Sequence, residues 1–330
     1  MRRTPTRIRS RAAVAAAAVL AAVAALLTTG PLTEASGTDG NSGTGGRVRV
    51  RALVLTMFDG ETKPWFDRER LPLTIEVPGA YAPVRCAASG LCVTTTGQGK
   101  ANTAASVTAI LDSDRLDLRR AYFLTSGIAG TPPENGTLGF AAWARWVVDY
   151  DLGHHVTTET DPTVPHGYLK DEDTGTNVFR LDDRLVDTAY RLTRRLKLAD
   201  SEAAAENRAH YPGQAGKTPY VTVCDTVTGD NYWTGADQSR RAQYITGLWT
   251  GGRGDYCTTQ MEDNATAAVL ARHGHLSRYL SLRTASDFDQ PYQGQSAQEV
   301  VTRFPGYGIS VENAYRVTAR VAHHLAARAS

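Results

Sequence analysis

One pattern limits what this 330-residue chain can become: apolar, β-branched runs that end in glycines or polar residues, separated by helical stretches. The runs are "RVRVRALVLTMF" (47–58), "CVTTTGQG" (92–99), "AYFLTSGIAG" (121–130), "YVTVCDTVTGDNYW" (220–233) and "YLSLRTASDF" (279–288), with a further β-rich segment in "GTLGFAAWARWVVDYD". Such composition predicts buried strands. "KANTAASVTAILDS" and "TTQMEDNATAAVLARHG" (258–274) read as helices. So does Asp182 to Leu198, where Leu185, Ala189, Leu192 and Leu196 recur at helical spacing with arginines on the outer face. A closing helix is expected from Ser310, an N-cap residue. "DGETKPW", after the first strand, reads as a polar loop carrying Glu61. Strands alternating with helices build a layered α/β fold, whose ligands bind beyond the carboxyl ends of the strands.

Not all of the chain belongs to that fold. A basic head and an apolar run from Ala12 to Leu27 have the make-up of a secretory signal, with a small-residue cleavage site near Ala35. Arg2-Arg3 leaves the twin-arginine route open. Residues 1–35 are therefore expected to be a leader, 36–46 a Gly/Ser-rich linker and 47–330 one domain, secreted or held at the cell surface or in a periplasm. The formal charge of +2 becomes −2 once the leader's five arginines and Glu34 are gone, so nothing electrostatic favours a nucleic acid. No second apolar stretch of about 18 residues exists, so the mature chain is expected to carry no membrane span. Four cysteines in an exported chain favour two disulfides, and Cys86–Cys92 with Cys224–Cys257 is the simplest of three pairings. The paired C-x-x-C spacing of a zinc site is absent, and no metal is expected.

The last strand-like run poses the functional question, because Arg283, Ser286 and Asp287 crowd its carboxyl end. Glu61, "TSGIAG", "TGDNYW" and "QMEDNA" are similarly polar at neighbouring ends. Taken singly, each has a plain structural reading. Asp287 would cap a turn, Glu262 and Asp263 would favour the first turn of a helix, and Met261 would be core packing.

Taken in order, "MFDGETKPWF", "TTGQGKANTAAS", "YFLTSGIAG", "YCTTQMEDNAT" and "RTASDFD" resemble the exported purine nucleoside permease family, within the nucleoside phosphorylase and nucleosidase superfamily. The resemblance runs from about Val50 to the C-terminus. It implies a three-layer α/β fold with a central mixed β-sheet flanked by helices, and a purine nucleoside as ligand. It further implies that Asp287 is the acid that meets purine N7, making the base a better leaving group. Glu262 matches the glutamate that grips the ribose hydroxyls, Met261 the apolar neighbour beneath the sugar, and Tyr232 an aromatic residue stacked on the base. Glu61 lies near the position of a water-activating carboxylate, with the register off by a residue. Ser126 and Gly127 belong to the strand end that meets phosphate in phosphorylases, and Arg283 is expected to orient Asp287.

The departures decide the acceptor. Ile128 stands where phosphorylases place a hydroxyl, and no arginine occurs from Ala121 to Gly130. Backbone N–H groups of Gly97, Gly99 and Gly127 remain for an anion, but phosphate recognition usually adds charged donors, so phosphate is disfavoured. The expectation is an exported enzyme that hydrolyses purine nucleosides, with a non-catalytic nucleoside-binding component of uptake, or a phosphate-dependent nucleoside phosphorylase, as the alternative. A homo-oligomer and a separate membrane transporter stay open as partners.

Overall fold

Burial explains why the apolar runs become strands. The computed structural model describes residues 46–157 and 159–328; the expected leader and the linker up to residue 45 lie outside them. Ala52–Thr56 (β1) is buried at every position and leads directly into Asp59–Arg68 (α1). Leu91–Thr95 (β2), equally buried, leads into Gly99–Leu111 (α2). There follow Tyr122–Thr131 (β3), Ala141–Trp143 (β4), Trp146–Asp149 (β5) and Asp183–Thr193 (α3). Then come Val221–Val223 (β6), Asp225–Thr228 (β7), Ala236–Thr250 (α4), Tyr256–Gln260 (β8) and Asp263–Arg272 (α5). Tyr279–Phe288 (β9) and Tyr307–Arg328 (α6) close the chain.

β3 is the hub of a mixed 12-stranded sheet. Along one edge it runs parallel to β9 from Tyr279↔Phe123 onwards. Along the other it pairs with β1 through Thr125, then meets β8 antiparallel at Gly130↔Thr259. β2 extends the β1 side, β7 and β5 extend the β8 side, and β4 joins β9 antiparallel. α1, α3 and α6 pack together against the sheet, while α2 and α5 pack on each other elsewhere. This is an α/β architecture with a mixed sheet flanked by helices. Among the described residues no helix is long and apolar enough to cross a membrane. Cys86 is bonded to Cys92, and Cys224 to Cys257.

Four local expectations need correction. "DGETKPW" is not a loop but most of α1: buried Glu61, Thr62 and Trp65 hold the helix despite Gly60 and Pro64. The helix expected over 258–274 begins only at Asp263, because Tyr256–Gln260 is taken into the sheet beside β7. Its buried N-terminal donors find a side chain, since Gln260 Oε1 accepts the N–H of both Glu262 and Asp263. The run over 220–233 is two strands broken at the bonded Cys224. The last helix starts at Tyr307, three residues before Ser310, whose hydroxyl donates to the Tyr307 carbonyl rather than capping an end.

Candidate active site

The carboxyl ends of β1, β3, β8 and β9 meet at a cavity of roughly 270 Å³, near the lower end of the range of about 300–1,000 Å³ for small-molecule sites. Asp287, Glu61, Glu262, Met261, Tyr232 and Arg283 all line it. Residues separated by more than 220 positions in the chain are thus brought to one place. Ser126 and Gly127 are not among the lining residues. Ser126 Oγ accepts the Trp65 indole N–H at 3.3 Å, which fastens α1 to β3. Gly127 lies just beneath the site. A Cβ there would come within 2.3 Å of Met57 Cε and 2.7 Å of Arg283 Nη1, so only glycine lets those side chains pass.

Asp287 owes its position to a β-bulge. The β9 register shifts between Ala285 and Asp287, which oppose Ala129 and Gly130, leaving Ser286 as the extra residue. Both Ser286 and Asp287 therefore reach the cavity. Ser286 Oγ donates to Asp287 Oδ1 at 2.6 Å, and Tyr232 OH donates to Oδ2 at 2.8 Å. Burial pushes the Asp287 carboxyl up to about 6, against the pull of these two hydrogen bonds.

Glu61, in the first turn of α1, is only 3% exposed. Oε2 accepts the Met57 N–H and Oε1 the Ile128 N–H, each at 2.8 Å. Burial nonetheless pushes its carboxyl up to about 8, with the nearby Arg283 charge and the two N–H groups opposing. A carboxyl that changes charge near neutrality inside a cavity is suited to proton transfer.

Glu262 precedes α5. Oε1 accepts the N–H of Gly99, a glycine at φ +85°, at 3.0 Å, and Oε2 pairs with Arg283 Nη2 at 2.9 Å. Burial raises its pKa, with Arg283 as the main opposing influence. Arg283 does not orient Asp287 as the sequence suggested. It pairs with Asp263 at 2.7 Å and with Glu262, and it donates to Gln260 Oε1 at 3.2 Å and to the Ile128 carbonyl at 3.0 Å. The Asp287 carboxyl is held by Ser286 and Tyr232 instead. Tyr232, 48% exposed, has its ring edge-on to Phe304 at 6.1 Å.

Sequence reasoning missed Asp263 and Gln260, which saturate the arginine, although both stand in the "QMED" motif. It also missed Phe58, at the end of the first strand-like run, and Phe304 and Tyr307, which line the cavity from outside any strand end.

The profile of the purine nucleoside permease family matches residues 49–329. The chain belongs to this family. A probable purine nucleoside permease of Schizosaccharomyces pombe is 31% identical over 310 residues, covering 84% of this chain and 89% of the relative. A purine nucleoside permease of Candida albicans is 34% identical over 285 residues, covering 79% and 70%. Among solved structures, the 5′-methylthioadenosine/S-adenosylhomocysteine nucleosidase of Colwellia psychrerythraea, in complex with adenine, superposes with a TM-score of 0.56 at 15% identity, covering 84% of this chain and 96% of that one. This chain therefore shares the nucleosidase fold, as the motif order implied.

Proposed function

We propose that this permease-family chain is exported, binds purine nucleosides in the cavity at the ends of β1, β3, β8 and β9, and cleaves their N-glycosidic bond with water. The observation that carries this reading is one cavity lined by three buried carboxyl groups, Asp287, Glu61 and Glu262, with burial pushing the first up to about 6 and the second up to about 8. Asp287 protonates purine N7 as the C1′–N9 bond breaks and its electron pair moves to the base. Glu262 accepts the ribose hydroxyls and favours the positive charge that develops on the sugar. Glu61 takes a proton from the water that adds to C1′. The names of the relatives and the fold of the nucleosidases support the ligand class. Two disulfides support an oxidising compartment.

Phosphate is disfavoured because Arg283 is surrounded by protein acceptors, while the cavity it borders is lined by carboxyl groups. Binding for uptake without turnover is the second reading, favoured by one observation. Each oxygen of Asp287 and of Glu262 has a partner within the protein.

Chromatography of inosine, adenosine and guanosine incubated with the protein, with and without phosphate, separates these readings. Free base without added phosphate is the expected result. Base formed only with phosphate would make the reaction phosphorolysis, and bound nucleoside with no base would leave the uptake role alone. The pH dependence is a second check. Turnover needs Asp287 protonated and Glu61 ionised, the minor arrangement when the acid titrates at about 6 and the base at about 8, so kcat/KM should be bell-shaped with limbs near pH 6 and pH 8 and a low maximum between them. Glu61→Gln is expected to lower kcat about a hundredfold and to flatten one limb. An unaltered profile would remove Glu61 from the mechanism.

A further inference from the structure

Both oxygens of Asp287 are engaged before any ligand arrives. Ser286 holds Oδ1, and Tyr232 OH donates to Oδ2 from a loop residue that is half-exposed and lines the same cavity. A purine nitrogen approaching the carboxyl from the cavity meets the phenol first. We infer that Tyr232 is a latch on the acid: its hydroxyl holds Asp287 between turnovers, purine N7 displaces it on entry, and it returns to drive the free base out. Displacement needs only purine binding at this site; the return step rests on the cleavage reading above.

The loop carrying Tyr232 has reason to leave its latched placement. Asp230 ties one end, its N–H donating to Asp151 Oδ2 and its Oδ1 accepting the Lys100 N–H, each at 2.8 Å. Gly235 ties the other, its N–H donating to the Asp289 carbonyl at 2.8 Å. Between these anchors the Trp233 indole N–H and the Thr234 hydroxyl are buried without a hydrogen-bond partner among the described residues, as is Asp289 Oδ1 beside Gly235. Orphaned buried polar atoms are costly, so a shift of the loop that pairs them offsets the lost Tyr232 bond.

The chemistry explains why the latch would close again. When the C1′–N9 bond breaks, its electron pair goes to the purine, N7 takes the Asp287 proton, and Asp287 becomes a carboxylate. Water supplies hydroxide to C1′, and its remaining proton goes to Glu61. A phenol hydrogen bond to a carboxylate is stronger than one to a neutral acid. Tyr232 thus reclaims Asp287 at the point where the neutral base has to depart.

Tyr232→Phe in the full chain tests this, because it keeps the ring and its edge contact with Phe304. The other titratable groups near Asp287 are untouched: Tyr211 after the Glu202–Ala209 helix, Tyr256 of β8 and Asp289 just beyond the end of β9. Arg283, four residues earlier on β9, stays bound to Glu262 and Asp263. Adenine and hypoxanthine, measured by calorimetry, should bind about tenfold more tightly to the variant. The lower limb of kcat/KM should move to higher pH, since a hydrogen bond favouring the carboxylate is gone, and kcat should fall as base release slows. Unchanged or weaker base binding with an unmoved limb would overturn the latch and leave Tyr232 a stacking surface. A wild-type protein that binds base but cleaves no nucleoside would remove the cleavage reading, and the affinity comparison would still decide the latch.

Discussion

Asp287→Asn is expected to lower kcat for inosine and adenosine about 10⁴-fold, with KM changed by less than about threefold. The amide keeps the shape of the carboxyl and can still meet Ser286 and Tyr232, so binding survives, but it has no acidic proton to give N7. The loss should depend on the leaving group. A p-nitrophenyl riboside leaves as a stabilised phenolate without protonation, and the variant should lose only about tenfold against it. Equal losses on both substrates would mean that Asp287 organises the strand end rather than acting as the acid.

Arg283→Met is expected to cost about 3–5 kcal/mol of folding stability, because it strands Glu262 and Asp263 as buried charges with their cation gone. Arg283 is the main influence holding down the Glu262 pKa, so its removal lifts that value further. The folded state then holds a proton that the unfolded chain releases. Stability of the variant should therefore fall as pH rises, with a larger deficit at about pH 8 than at about pH 5 in thermal denaturation. The double variant Arg283→Met, Asp263→Asn should recover part of the loss. A stability deficit that ignored both pH and Asp263 would show that packing, not charge pairing, is what Arg283 supplies.

These two residues also show how far the sequence could be read. Asp287 was legible as a site residue because an apolar run that ends in Ser-Asp is unusual for a core strand. Glu262 and Met261 were reached only through the resemblance of the ordered motifs, because 258–274 read as one helix and the strand Tyr256–Gln260 before them was not foreseen. What Arg283 does was not, since its choice among carboxylates depends on which strand end faces it. Tyr232 meets Asp287 across 55 residues of chain, and no local pattern records that bond. Gly60 and Pro64 made α1 look like a loop, whereas burial of Trp65 against β3 and Tyr315 stabilises it as a helix. The segment that brings Phe304 and Tyr307 to the cavity has no periodic signal to announce it.

The saturated arginine has a bearing on what must happen before a ligand reaches this protein. Among the described residues lining the cavity Arg283 is the sole cation, and it is bound to Glu262 and Asp263. The remaining wall offers carboxyl groups, aromatic rings, and apolar and neutral polar side chains. A nucleoside 5′-phosphate would find no counter-charge there, and adenosine 5′-monophosphate should neither compete with adenosine nor be consumed. On the cleavage reading, supply of substrate would then fall to a phosphomonoesterase reaction acting first, which strips nucleotides to the uncharged nucleoside.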